Sequence, residues 1–228
     1  MVYRTTPKML ERKAARRSKL LAEAIRIFGE KGFHAATVPM IVSAAGSSTG
    51  AFYLYFRNKE DVFAAVLEAL EGKISAAINE ATAAAGPDVL LHMRAAVGAL
   101  VRFLAEHPRE ARILIVESSG LGKRLESVRR RVIESHTKGV EQALAALADR
   151  LPPMESAVAA RCWVGAVYEA VFDWLEQPPN KRLPPERLAK AITEFNLRAI
   201  GTPIDLLQAT GLKRRPARSL SKTRGTLS

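Results

Sequence analysis

Apolar residues recur at helical spacing along almost the whole chain, and this pattern most limits what the chain can fold into. Leu21, Ile25 and Phe28 lie at i, i+4 and i+7 of a first helix that is expected to start near Lys13 and to end at Gly32. Pro and Gly residues interrupt the pattern at intervals, as they do at helix ends. No alternating strand pattern of useful length occurs. The sequence therefore predicts an all-α protein.

The segment after the first helix predicts two short helices joined by a turn. Thr37 and Ser48 are suitable N-cap residues, and Gly46 lies in the turn between the two helices. Asn58 is a third N-cap, ahead of a longer helix that runs towards Ala85. Two short helices around a glycine turn, covered by a preceding helix, are what a helix-turn-helix requires, and the second helix of such a motif enters the DNA major groove.

The remainder of the chain predicts a larger helical body. Helices are expected over 88–107, 108–118, 124–150, 155–175 and 185–199. The expected organisation is a basic N-terminal arm over 1–13, a three-helix head over 14–74 with its motif at about 37–56, a helical body over 75–207 and a basic, disordered tail over 208–228.

The net charge of +12 is concentrated at the two ends of the chain. Residues 1–60 hold 11 basic and 4 acidic residues, residues 61–210 hold 18 and 19, and residues 211–228 hold 6 and none. This distribution indicates a partner that is a polyanion, either nucleic acid or an anionic membrane surface. No apolar run is long and continuous enough to span a membrane, and we expect no membrane partner.

Several classes of protein are disfavoured by residue usage. Cys162 is the only cysteine, so neither an internal disulfide nor a cysteine-rich metal site is expected, and the reducing cytoplasm is the expected compartment. The four histidines share no metal-ligand spacing, and no serine or cysteine lies in a nucleophile motif. The sequence therefore predicts no enzyme, no metal site and no cofactor.

The head resembles the TetR family of bacterial transcriptional repressors. The residues that carry the resemblance are Gly32-Phe33, Thr37-Val38, Ala45-Gly46, Ser48-Thr49-Gly50, the aromatic run from Phe52 to Phe56, and Asn58-Lys59-Glu60. The resemblance covers about residues 14–74 and implies a DNA-binding head joined to a ligand-binding body. It also implies a homodimer that binds a palindromic double-stranded DNA operator.

The resemblance implies that helices 155–175 and 185–199 pair across the two-fold axis of that dimer. Large apolar side chains on the first of these helices have an alternative, which is to fill the core of a single subunit. They are Trp163, Val167, Val171 and Trp174.

The resemblance implies phosphate contacts from Thr37, Tyr53, Tyr55 and Lys59, and base contacts from Ser48, Thr49, Gly50 and Ala51. The sequence departs from the family at Pro39, Thr49 and Leu54, where family members commonly have basic residues. The reading helix therefore has no Arg or Lys for a bidentate contact to guanine. For Tyr53 and Tyr55 the alternative is packing between helices.

The family also implies a small-molecule site in the body. Candidate ligand contacts are Met93, Val97, Arg102, Arg109, Glu117, His136 and Tyr168. Each has the alternative of ordinary packing, and for His136 this is a hydrogen-bonded histidine of the core. The segment from Arg112 into the helix that follows loosely resembles FadR-type family members, which answer to long-chain acyl-CoA.

The predicted function is thus a repressor that releases its operator when a lipophilic small molecule binds the body. A long-chain acyl-CoA or a fatty acid is the first candidate effector, and an aromatic or cationic drug is the rival. The alternative class is a DNA-architectural protein that binds through its charge alone.

Overall fold

The computed structural model describes residues 7–118 and 121–203. The described residues form α-helices with short π and 3-10 segments. The helices are α1 (Pro7–Ala35), α2 (Val38–Ala44), α3 (Thr49–Tyr53), α4 (Lys59–Ala84), α5 (Val89–Glu106), α6 (Pro108–Ala111), α7 (Lys123–Ala146), α8 (Ser156–Glu176) and α9 (Pro185–Ala199). A π-helical segment covers Arg112–Glu117, and 3-10 turns cover Ala148–Arg150 and Pro179–Lys181. The all-α prediction is confirmed.

Helix α1 begins earlier than the sequence indicated. It starts at Pro7 and not near Lys13, so residues 7–13 of the predicted arm are helical. Its regular part ends at Gly32 as expected, because this residue has φ +77° and ψ 167°, a conformation that is essentially restricted to glycine. Residues 1–6 of the arm and the predicted tail at 208–228 lie outside the described residues.

The three N-caps of the head are confirmed by their hydrogen bonds. Oγ1 of Thr37 accepts from the N–H of Met40 at 3.4 Å, and Oγ of Ser48 accepts from the N–H of Ala51 at 3.2 Å. Oδ1 of Asn58 accepts from the N–H of the third residue of α4 at 2.8 Å. These side chains fix where α2, α3 and α4 begin, because each one occupies a backbone donor that has no partner within its helix.

Aromatic packing and one long helix join the head to the body. The rings of Phe28 and Phe33 each meet the ring of Phe63 edge-on, with centroids 4.9 Å apart. Phe63 belongs to α4, which continues from the head into the body and packs extensively against α5. The predicted boundary at residue 74 therefore falls inside a helix and not in a linker.

The body is built from α4, α5, α7, α8 and α9. The four large apolar residues of α8 lie within the core of a single subunit: Trp163, Val167, Val171 and Trp174 are all at most 5% exposed. Nε1 of Trp174 donates to the carbonyl oxygen of Leu183 at 2.8 Å, which holds the turn before α9. These four residues therefore fill the core of a single subunit, which was the alternative to a role in the dimer interface.

Candidate nucleic-acid interface and body cavity

Helix α3 presents a largely uncharged surface to solvent. Thr49, Gly50 and Tyr53 are exposed, and Leu54 follows them with 73% of its surface exposed. Phe52 is fully buried and anchors the opposite side of the helix. The predicted base-facing residues Ser48, Thr49, Gly50 and Ala51 thus lie together, with Ala51 half-buried.

The two tyrosines predicted to contact phosphate differ in exposure. Tyr53 is 56% exposed, whereas Tyr55 is half-buried, with its ring centroid 6.5 Å from that of Phe56. Packing between helices therefore accounts for part of the Tyr55 side chain, whereas most of the Tyr53 side chain is in solvent. Thr37 is exposed at the start of α2, where its hydroxyl also serves as the N-cap.

Positive charge flanks α3 and does not lie on it. The guanidinium of Arg17 lies over the ring of Phe56, 5.3 Å from its centroid. Nζ of Lys19 lies 3.7 Å from the point where Gly46 would carry a Cβ, beside the turn of the motif. The two cations thus lie next to residues that precede or follow α3 in the chain.

Lys59 has a function in the structure that the sequence did not indicate. Its Nζ donates to the carbonyl oxygens of Phe33, His34 and Ala36 at 2.7, 3.2 and 3.1 Å, and it lies 4.4 Å from the centroid of the Phe33 ring. An ammonium has three N–H donors, and these three carbonyl oxygens occupy all of them. Lys59 therefore caps the end of α1, and its predicted phosphate contact would have to compete with this arrangement.

Glu117 joins the body to the head. Its Oε2 accepts the N–H of Phe33 at 3.0 Å, and its Oε1 accepts from Nε of Arg112 at 3.0 Å. The acceptor lies at the end of the π-helical segment, 84 residues from its donor. We call the hydrogen bond from Phe33 to Glu117 the head–body bridge.

Two ion pairs support the same junction. Arg109 lies 3.2 Å from Glu30 of α1, and Arg124 of α7 pairs with Asp61 of α4. The backbone N–H of Arg57, and after it the guanidinium of Arg124, lower the pKa of Asp61 below its ordinary value. Asp61 is thus ionised at neutral pH, and its contribution is lost only as the pH falls through that lowered pKa.

The body contains a cavity of about 320 Å³, which we call the outer cavity. It lies between α4, α5, α7 and α8, and the predicted ligand residues Met93, Val97, His136 and Tyr168 all line it. Its volume is at the lower end of the range of about 300–1,000 Å³ that is usual for small-molecule sites. The structure therefore brings four of the seven predicted ligand residues together.

The other three predicted ligand residues do not line this cavity. Arg109 and Glu117 belong to the junction with the head, because their partners are on or beside α1. Arg102 lines a surface cleft between α5 and α9, together with Arg94 and Lys190. These residues of α5 lie on the side of the helix that faces away from the outer cavity.

A second, smaller cavity of about 30 Å³ adjoins the outer cavity, and we call it the inner cavity. The two cavities share Leu100, Val167 and Tyr168 in their walls. Glu71 lines the inner cavity, as do Leu114 and other residues of the π-helical segment. The inner cavity thus lies between the ligand-sized space and the segment that carries the head–body bridge.

Three polar side chains form a chain where the two cavities meet, and we call it the polar chain. Nδ1 of His136 lies 3.2 Å from the hydroxyl oxygen of Tyr168, and Nε2 of His136 lies 3.0 Å from Oε1 of Glu71. Burial, and after it the negative charge of Glu71, raise the pKa of Tyr168, so its hydroxyl stays protonated. Tyr168 is then a donor to His136.

Glu71 was missed by the sequence reading, although a signal was present. It interrupts the apolar stripe of α4, one turn after Leu67 and one turn before Ile74, both of which are buried. A charged residue in a buried stripe needs a partner. The partner, His136, lies on a different helix and is not indicated by the sequence.

The described residues contain no group of three or more His, Cys, Asp or Glu side chains that could hold a metal ion. Among the helices of the same residues, none combines the length and the apolar character that crossing a membrane requires.

Comparison with known proteins places the head in a described family. The family model for bacterial regulatory proteins of the tetR family matches residues 20–66. The uncharacterized HTH-type transcriptional regulator YerO of Bacillus subtilis is 40% identical over 65 residues, which are 28% of this chain and 22% of that protein. The HTH-type transcriptional activator FasR of Mycolicibacterium smegmatis is 32% identical over 103 residues, 45% of this chain and 46% of that protein. The chain thus spans less than half the length of these relatives.

The fold of the whole described chain has counterparts among solved structures. The transcriptional regulator FadR of Bacillus subtilis, solved in complex with stearoyl-CoA, superimposes with a TM-score of 0.72. The match covers 80% of this chain and 98% of the FadR chain, at 18% sequence identity. It therefore extends the shared fold from the head into the body.

Proposed function

We propose that the chain is a TetR-type transcriptional repressor that releases its operator when a lipophilic small molecule binds the outer cavity. The match of the tetR family model to the head and the fold shared with solved regulators support this proposal. The observation that carries the proposal is the head–body bridge, since it connects the walls of the cavities to the DNA-binding head. We infer that the protein acts in the bacterial cytoplasm, where such an operator is located.

Recognition of the operator rests on neutral contacts. The exposed part of α3 offers the Thr49 hydroxyl and methyl, the Gly50 backbone and the Tyr53 ring. A threonine can contact a thymine methyl or hydrogen-bond a base edge. The cations of α1 supply attraction that is independent of base sequence, so selectivity depends on α3 and on the shape of the DNA.

The proposed release mechanism uses the π-helical segment. Leu114 and Ile115 line the inner cavity, and Glu117 follows them on the same segment. A ligand that displaces the wall of the cavity would shift this segment, and the carboxylate would then move relative to Phe33. Because the bridge ends at Phe33, in the last turn of α1 before α2, such a shift changes the position of the reading helix relative to the body.

The first candidate effector is a long-chain acyl-CoA or a fatty acid, and an aromatic or cationic compound is the rival. The apolar walls of the outer cavity suit either an acyl chain or an aromatic body. The stearoyl-CoA bound to the FadR counterpart supports the first candidate. A cavity of about 320 Å³ favours the acyl part of such a ligand as its occupant, with CoA outside it.

The test of DNA recognition compares affinities at one fixed salt concentration. We expect the purified protein to bind the DNA upstream of its own gene at least about a thousandfold more tightly than random DNA. Thr49→Ala should change which operator variants are preferred, whereas Lys13→Ala, an exposed cation of α1, should weaken all DNA to a similar degree. Equal affinity for upstream and random DNA would instead support the DNA-architectural alternative.

We also propose that the repressor is a homodimer formed through α8 and α9. Val158, Gly165 and Phe172 are seven residues apart on α8, and all three are exposed. On α9, Phe195 is 63% exposed although it is large and apolar. A two-fold dimer presents one head to each half-site of a palindrome, and successive half-sites lie about 34–36 Å apart.

Phe195→Glu should separate the dimer. We expect the unchanged protein to sediment at twice its chain mass of 24.9 kDa, and the variant to need at least about a 30-fold higher concentration to dimerise. Leu10→Glu introduces the same charge at an exposed residue of α1 and is the matched control. Sedimentation equilibrium measures both. If Phe195→Glu dimerises as well as the control does, α9 does not form the interface.

A further inference from the structure

The polar chain contains two buried atoms without a hydrogen-bond partner in the structure. They are Oε2 of Glu71 and Nε2 of His136. Nε2 lies 3.0 Å from Oε1 of Glu71 but makes no hydrogen bond with it. The hydroxyl of Ser75 donates to Oε1 of Glu71 at 3.0 Å, so Oε1 has a partner whereas Oε2 has none.

Unpartnered buried polar atoms are costly, so a water, an ion or a group of a ligand is expected to partner them. Glu71 lines the inner cavity and His136 lines the outer cavity, and their side chains are only 15% and 16% exposed. The carboxylate oxygen requires a donor, and Nε2 of His136 is itself a donor because Nδ1 accepts from Tyr168. A single group that both donates and accepts satisfies the two atoms together.

The size of the inner cavity limits that group. Its volume of about 30 Å³ is far below the roughly 300 Å³ at which usual small-molecule sites begin. A hydroxyl fits such a space, whereas a nucleotide or a phosphate does not. The outer cavity, which is about ten times larger, would hold the apolar remainder of the molecule.

The charges at the inner cavity disfavour an anionic group. Glu71 contributes one negative charge, and Arg129, which lines the same cavity, contributes one positive charge. The guanidinium of Arg129 is 3.5 Å from Glu126, so part of its charge is already compensated. A ligand carboxylate would lie against the Glu71 carboxylate and would lose its hydration.

We propose that the polar chain binds a hydroxyl group of the effector, with the hydroxyl donating to Oε2 of Glu71 and accepting from Nε2 of His136. The ligand class is an apolar molecule that bears an alcohol group and reaches the inner cavity past Tyr168. This inference rests on the proposed function, since it specifies the ligand of the same body cavity. It also applies to an acyl chain that carries a hydroxyl group along its length.

The experiment compares three probes that share a ten-carbon chain and differ in the end group: 1-decanol, decylamine and decanoate. Binding to the full-length protein is measured by titration calorimetry and by the fluorescence of Trp163, which lines the outer cavity. We expect 1-decanol to bind at least about tenfold more tightly than decanoate or decylamine, because it alone is a neutral donor and acceptor.

Glu71→Met removes the acceptor and keeps the shape of the side chain. It should weaken 1-decanol binding about 10- to 100-fold and abolish the preference over decanoate. Glu68→Met, one turn earlier on α4 and 62% exposed, is the matched control and should leave all three affinities unchanged. Circular dichroism establishes that each variant is folded. The comparison of probes on the unchanged protein is independent of any variant.

Three results would overturn the inference: equal binding of the three probes, tightest binding of decanoate or decylamine, or no binding of any probe. An unchanged 1-decanol affinity in folded Glu71→Met would overturn it as well. Binding to upstream DNA, measured on the same preparation without probe, separates the two proposals. If specific DNA binding is retained while the alcohol preference is absent, the regulator remains and only its ligand class is wrong.

Discussion

Gly32→Ala should lower the free energy of unfolding by about 2 to 4 kcal/mol. Two effects add at this residue. Its φ of +77° and ψ of 167° are strained for any residue with a Cβ. In addition, a Cβ would lie 2.9 Å from both carboxylate oxygens of Glu117, so the head–body bridge would have to open. Urea unfolding followed by far-ultraviolet circular dichroism, at one protein concentration, measures the change.

Gly72→Ala is the matched control for this experiment. Gly72 lies within α4, and no atom outside its own helical surroundings is within 4 Å of a Cβ added there. Alanine is the better helix former, so this variant should be neutral or slightly more stable. Combining Gly32→Ala with Glu117→Ala should cost less than the sum of the two, since both remove the same contact. A loss in Gly32→Ala no larger than that in the control would contradict the role of the bridge.

Lys59→Met should also lower the free energy of unfolding by about 2 to 4 kcal/mol, because three carbonyl oxygens at the end of α1 lose a charged donor. The apolar stem of methionine still packs against the Phe33 ring, so the change isolates the ammonium. Lys31→Met, an exposed lysine of α1, should cost little in comparison. Urea unfolding of the two variants under the same conditions gives the difference.

The salt dependence of DNA binding by the same variant separates two functions of Lys59. A lysine that neutralises a phosphate contributes about 0.9 to the slope of log affinity against log salt concentration. We expect the slope of Lys59→Met to be unchanged, since the ammonium is occupied by the carbonyls of Phe33, His34 and Ala36. A slope reduced by about one per subunit would instead establish the phosphate contact that the family resemblance implies.

The sequence predicted the local features of the head well. Thr37, Ser48 and Asn58 begin their helices as expected, because an N-cap depends on the cap residue and on backbone groups two or three positions away. Phe52 and Phe56, which are four residues apart, are both buried, as their helical spacing allows. Such features depend on residues within one helical turn of each other, so they can be predicted from neighbouring residues in the sequence.

The contacts that join distant segments could not be predicted from local sequence patterns. Glu117 was expected at a ligand and instead binds Phe33, 84 residues earlier, and Lys59 reaches back to the end of α1. Whether a polar side chain faces a cavity or another element depends on how helices pack, which periodicity leaves open. His136 was placed correctly towards the interior, but its neighbour Glu71 was identified only in the structure.

Helix α4 has a consequence for any attempt to exchange heads between related proteins. Its 26 residues extend about 39 Å without interruption, from Lys59 under the head to the wall of the outer cavity. A hybrid joined at residue 74 would therefore have to preserve the helical phase. One inserted or deleted residue would rotate the incoming head by about 100° around the helix axis and shift it by about 1.5 Å. The number of residues in α4 therefore sets the orientation of the head relative to the cavities of the body.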